Sequence, residues 1–139
     1  MTTVLIVDPN EETRIALEAQ LAESNQFERV LSCSDLNVAS GLLSDRKITV
    51  ILLDAQQAAQ SAVLHQIKQA NPELGVVLIR DAGGLLDTAT LQSLGGHAQA
   101  SRLAAPMEII ASVAKALVVR LRPSSRILGK FLKDGSGKF

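Results

Sequence analysis

Three acidic residues stand where apolar runs stop. Asp8 follows Val4-Leu5-Ile6-Val7, Asp54 follows Val50-Ile51-Leu52-Leu53, and Asp81 follows Val76-Val77-Leu78-Ile79 with Arg80 between. A carboxylate can ligate a hard cation, and two of them brought together can share one. A single acid in such a place does no more than cap a loop. Two acids ending neighbouring strands would form an acidic pocket, and Arg80 adds a cation beside it. Other reactive side chains are sparse. His65 sits among Gln66, Lys68 and Gln69 on an expected helix surface, and His97 follows Gly95-Gly96 with no second His or Cys near it to build a metal site. Cys33 is the one cysteine. It can form no internal disulfide and reads as a small buried apolar residue, with a reducing cytoplasm as the natural setting.

The elements that must position the acids can be read from periodicity. The three apolar runs are too short for helices and rich in β-branched residues, as in strands buried on both faces of a parallel sheet. Phe27–Cys33 is more polar and suits a sheet edge, and His97–Leu103 reads as a weak fifth strand. Helical spacing lies between. Asn10 can cap a helix with Leu17 and Leu21 on one face, and Asp35 can cap a second using Val38 or Ala39 with Leu42 and Leu43. A third helix runs toward Asn71-Pro72 with Val63, Leu64 and Ile67 inward. A fourth spans Leu85–Leu94 and stops at Gly95-Gly96. Pro106 opens the last helix, which Pro123 ends. Five βα units give an α/β fold with a doubly wound parallel sheet. Ligands of such sheets bind beyond the carboxyl ends of the strands, and adjacent strands are about 4.8 Å apart, so Asp8 and Asp54 can meet.

Composition narrows the function. The 139 residues include 47% hydrophobic ones, enough for one core. No run reaches the roughly 18 apolar residues of a membrane span, and the start lacks a basic region typical of a signal peptide. Lys plus Arg equals Asp plus Glu at 14 each, but residues 1–121 carry thirteen acids against nine bases, while 122–139 carry five bases against Asp134. With three Phe and no Tyr or Trp, stacking platforms for single-stranded nucleic acid are missing. An acidic body argues against direct nucleic-acid binding.

Val4-Leu5-Ile6-Val7-Asp8, Ile51-Leu52-Leu53-Asp54, and Ile67-Lys68-Gln69-Ala70-Asn71-Pro72-Glu73-Leu74 before a strand together resemble a response-regulator receiver domain of the CheY-like family. The likeness spans about residues 3–121 and extends to Arg102-Leu103-Ala104-Ala105-Pro106-Met107-Glu108-Ile109. It implies a flavodoxin-like sheet of order 2-1-3-4-5 with helices on both faces, Asp54 as phosphoacceptor, and a histidine kinase or other signalling protein as partner. It also implies a Mg²⁺ site of Asp8, Asp54 and the Gln56 backbone carbonyl. Several positions depart from the family pattern. Pro9 replaces a second acid, Arg80 stands where a Thr or Ser is usual, Arg102 where a Lys is usual, and Gln99 where an aromatic often sits. Arg80 and Arg102 are the expected phosphoryl-contacting or switch residues. Metal affinity should fall with a charge missing, and phosphorylation should be poor. Arg80 could pair with Asp54 directly or extend to solvent.

Two enzyme readings of the same fold fare worse. A flavodoxin needs a hydroxyl-rich phosphate loop after the first strand, where Asp8-Pro9-Asn10-Glu11-Glu12 would repel phosphate. An aspartate-type phosphatase needs a second Asp where this chain has Gln56. A non-enzymatic docking role remains. The last helix carries Ile109, Ile110, Val113, Leu117, Val118 and Leu121, a stripe wider than one sheet face requires. Ile110, Val113, Leu117 and Leu121 are therefore expected at an interface, in a homodimer or against a downstream domain. Residues 122–139 read as a basic tail or linker after a 1–121 domain. Gly135-Ser136-Gly137-Lys138-Phe139 fails as a phosphate loop because Leu132 and Phe139 occupy required Gly and Ser/Thr places. The junction faintly resembles pilus-assembly localisation proteins, in which a degenerate receiver precedes a MinD-like ATPase.

Overall fold

The computed structural model describes residues 2–120 apart from 46, 61, 82 and 83. Leu121 and the basic tail, named above, lie outside the described residues. Continuous apolar character makes β1 (Thr3–Val7), β3 (Val50–Asp54) and β4 (Gly75–Arg80) the central strands, because helices cover both of their faces. The more polar β2 (Arg29–Cys33) and the short β5 (Ala98–Ser101) take the edges. All pairings are parallel, in the order β2-β1-β3-β4-β5. Val7 pairs with Leu53 and Asp54 with Ile79. That register brings Asp8 and Asp54 level at the same end of the sheet.

Side chains alternate between two cores. On one face Leu5, Val7, Ile51, Leu53, Val76 and Leu78 meet α2 (Leu36–Asp45), α3 (Ala55–Gln60), α4 (Val63–Ala70) and α5 (Thr88–Ser93). On the other, Val4, Ile6, Leu52, Val77 and Ile79 meet α1 (Glu11–Glu23) and α6 (Pro106–Val119). Asn10, Asp35 and Asp87 cap α1, α2 and α5 by accepting from the amides of Thr13, Val38 and Thr90 at 3.0, 3.0 and 2.7 Å. Pro106 is in the first turn of α6, as its fixed φ favours.

Several expectations need correction. The expected third helix is preceded by a separate turn and a half of helix, α3, which starts directly after Asp54. The helix read as Leu85–Leu94 begins only at Thr88, because Asp87 caps it. Of the two candidates on α2, Ala39 faces the core as one alternative had it, while Val38 is exposed. Val113, placed at an interface above, is 1% exposed and packs with Ile109 and Ala116 against the sheet. Ile110 and Leu117 are partly buried against the same cluster. Most of the wide stripe of α6 is thus consumed by the domain's own core, since the small Ala98 and Ala100 of β5 let the helix settle close.

Candidate functional site

The carboxyl ends of β1, β3 and β4 deliver Asp8, Asp54 and Asp81, and the turn after β5 delivers Arg102. Asp8 and Asp54 are 1% and 5% exposed. Two buried carboxylates side by side call for a counter-charge. Arg102 supplies it. Its Nη1 pairs with Asp8 Oδ2, its Nη2 donates to Asp54 Oδ1, and its Nε donates to the exposed Asp81 Oδ1 at 3.0 Å. Burial works against the guanidinium charge, but Asp8 and the hydrogen bonds to Asp81 and Asp54 outweigh it, and the pKa of Arg102 rises. A planar fork spreads its donors over three nitrogens, so each carboxylate meets a different one, whereas an ammonium presents its three donors from a single point.

Backbone groups hold the acids from the other side. Asp8 Oδ1 accepts from the Asn10 amide at 2.9 Å, and Asp54 Oδ2 from the Gln57 amide at 3.2 Å. Gln57 also reaches across to the next loop, donating to the Ser34 carbonyl at 2.9 Å and accepting from the Leu36 amide at 3.1 Å. Arg14 donates to the Asp8 carbonyl at 2.8 Å. Pro9 is exposed and offers no ligating side chain. Gln56 lies in the first turn of α3, where a carbonyl is aligned with the helix axis and serves the helix's own hydrogen bonding.

Arg80 turns to β5, its Nε donating to Gln99 Oε1 at 3.2 Å. Gln99 in turn clasps Leu86 through both of its amide ends. Its Oε1 accepts from the Leu86 amide at 2.8 Å and its Nε2 donates to the Leu86 carbonyl at 2.7 Å. Where an aromatic side chain was expected by resemblance, the chain has a polar staple between β5 and the segment leading into α5. Sequence reasoning named Gln99 but not this work, and it missed the pairing of Asp81 with Arg102 and the bridging by Gln57. The adjacency of Arg80-Asp81 at a strand end was the available signal for the second; nothing local marked the other two.

Beside the pocket an open groove of about 340 Å³ runs between α1 and the turn after β5, lined by Glu12, Thr13, Ala16, Gln20, Arg102 and Leu103. Leu103 and Met107 are 78% and 74% exposed, and Leu85 is similarly open. Leu85 and Leu103 lie on connections at the carboxyl end of the sheet, and Met107 lies in the first turn of α6. Among the described residues no helix is long and apolar enough to cross a membrane.

No protein-family model and no curated protein matches the chain. Solved structures do. NtrX from Brucella abortus, solved in complex with ADP, matches with a TM-score of 0.72 and 22% identity over 96% of this chain, which spans only 30% of that protein's chain. A response regulator from Thermotoga maritima matches with a TM-score of 0.70 and 19% identity, covering 85% of this chain and 98% of the other. A LuxR family DNA-binding response regulator from Silicibacter pomeroyi reaches 26% identity at a TM-score of 0.67, over 85% and 93% of the two chains. The fold is that of response-regulator receiver domains.

Proposed function

We propose that this chain is a receiver-type signalling domain that works by docking to other proteins, with little or no phosphorylation of Asp54. One observation carries the reading: the guanidinium of Arg102 bridges Asp8 and Asp54, so the expected phosphoacceptor is already engaged in a buried ion pair. The staple of Gln99 on Leu86 supports it, because the segment that would have to move on a phosphoryl signal is held by two short hydrogen bonds. No catalytic turnover is assigned to the domain. Its partner is another signalling protein, a second copy of the chain, or a domain that follows in the same chain. The apolar Leu85, Leu103 and Met107 beside the pocket offer the contact area.

The test is incubation with acetyl phosphate and Mg²⁺ followed by intact-mass measurement. The wild type and Asp54→Asn should both remain unmodified. Stoichiometric labelling that disappears in Asp54→Asn would favour the second reading, a phospho-accepting receiver switched by a histidine kinase. One feature speaks for that alternative: Asp54 sits at the carboxyl end of a central strand with a cation on its carboxylate, as phosphoryl uptake requires. Sedimentation of the chain, with and without Leu103→Ser and Met107→Ser, separates self-association from docking to a different protein.

A further inference from the structure

All four oxygens of the Asp8 and Asp54 carboxylates already accept hydrogen bonds. The Asn10 amide takes Asp8 Oδ1, Arg102 takes Asp8 Oδ2 and Asp54 Oδ1, and the Gln57 amide takes Asp54 Oδ2. The fold family implies a Mg²⁺ ion at this end of the sheet, and these residues do not fit one. Mg²⁺ demands octahedral oxygen ligands at about 2.1 Å and parts with its water reluctantly. Pro9 contributes no carboxylate, and the Gln56 carbonyl is turned along α3. Among the described residues no group of three His, Cys, Asp or Glu side chains is placed to hold a metal.

We infer that Arg102 is a built-in replacement for the divalent cation, and that the domain keeps its acidic pocket assembled without metal. This deepens the receiver reading and rests on it for the expectation of a metal. The physical case is one of charge and room. The guanidinium stands between the two buried carboxylates, and a divalent ion added beside it would set three positive charges against two buried negative ones, with only the largely exposed Asp81 to answer the third. To admit the ion, Arg102 would have to leave Asp8, Asp54 and Asp81 together, breaking three charge-assisted hydrogen bonds at once. Removing Arg102 reverses the balance. Two buried carboxylates then face each other with no counter-charge, which is the arrangement that recruits a divalent cation.

Titration of the full chain with Mn²⁺, followed by the paramagnetic resonance of the free ion and without any phosphoryl donor, tests this. The wild type should show no saturable binding at millimolar Mn²⁺. Arg102→Ala and Arg102→Gln should each bind at least about tenfold more tightly than the wild type, and adding Asp8→Asn to either should abolish the gain. Should a variant be unfolded in the absence of metal, Mn²⁺ must restore its far-ultraviolet helical signal; failure to do so overturns the inference. Saturable wild-type binding as tight as that of the variants, or variants that bind no better than the wild type, would also overturn it. The two proposals fail separately. Labelling of Asp54 by acetyl phosphate would defeat the docking reading and leave this titration unaffected, whereas a wild type that binds Mn²⁺ but resists labelling would do the opposite.

Discussion

Arg102 and His97 are two side chains whose charge state bears on the folded domain, and they act at opposite ends of the sheet. Removing Arg102 leaves the buried Asp8 and Asp54 uncompensated, so Arg102→Ala should lower stability in metal-free denaturant titrations by about 3–5 kcal/mol. Arg102→Lys should recover only part of this, because an ammonium presents its donors from a single point and lacks the span of the planar fork. His97 behaves oppositely. Its Nδ1 accepts from the Val76 amide at 3.0 Å, a bond that needs the neutral ring. Burial, with the nearby charges of Lys68 and Arg120, lowers its pKa from 6.5 to about 4. Between those values the unfolded chain takes up a proton that the folded chain refuses, so the contribution of His97 is full above 6.5 and is lost as pH falls toward about 4. Urea titrations across that window should therefore show a stability slope that is shallower in His97→Asn, whose amide oxygen can accept the Val76 amide at any pH.

At the scale of elements, the glycine pair after α5 shows how tightly a helix end can be specified. Gly95 has φ +85, and the Gly95 and Gly96 amides donate at 2.9 Å to the carbonyls of Gln92 and Leu91, closing the helix end. A Cβ on Gly96 would lie 2.7 Å from Leu91 Cδ1 and 2.8 Å from Leu78 Cγ, so Gly96→Ala should cost about 1–3 kcal/mol by overpacking, measurable as a drop in Tm. Gln99→Ala should act more locally, speeding amide hydrogen exchange at Leu86 while leaving the central strands protected. The sheet was legible in the sequence because three strands buried on both faces give unbroken apolar runs that no other element of that length needs. The acidic pocket was legible because each acid closes such a run. The split between α3 and α4 was not, since no Gly or Pro marks it. The α6 stripe misled for a related reason: periodicity reveals which side chains share a face, but not how deeply small neighbours such as Ala98 and Ala100 let that face sink. That Arg102, rather than Arg80, pairs with Asp54 also escaped, because contacts between residues 8, 54 and 102 depend on strand order rather than on spacing.

At the scale of the whole molecule, the two ends of the sheet have different jobs. The carboxyl end gathers the ion-pair hub and the exposed Leu85, Leu103 and Met107. These three side chains add little to folding, so the combined change to Ser should leave Tm within about the range of ordinary surface substitutions, roughly 0.5 kcal/mol each. The amino end is sealed by Arg120, whose Nη1 donates to the Thr49 and Glu73 carbonyls at 3.3 and 3.0 Å and ties the close of α6 to the feet of β3 and β4. The 14 residues of α6 start next to Arg102 and rise about 1.5 Å apiece, so the helix is a strut about 21 Å long. Arg120, the last described residue, thus stands at the pole opposite the acids. A protein seated over the acidic pole would therefore stand the full height of the domain away from Arg120, with the strut as the spacer between the two poles.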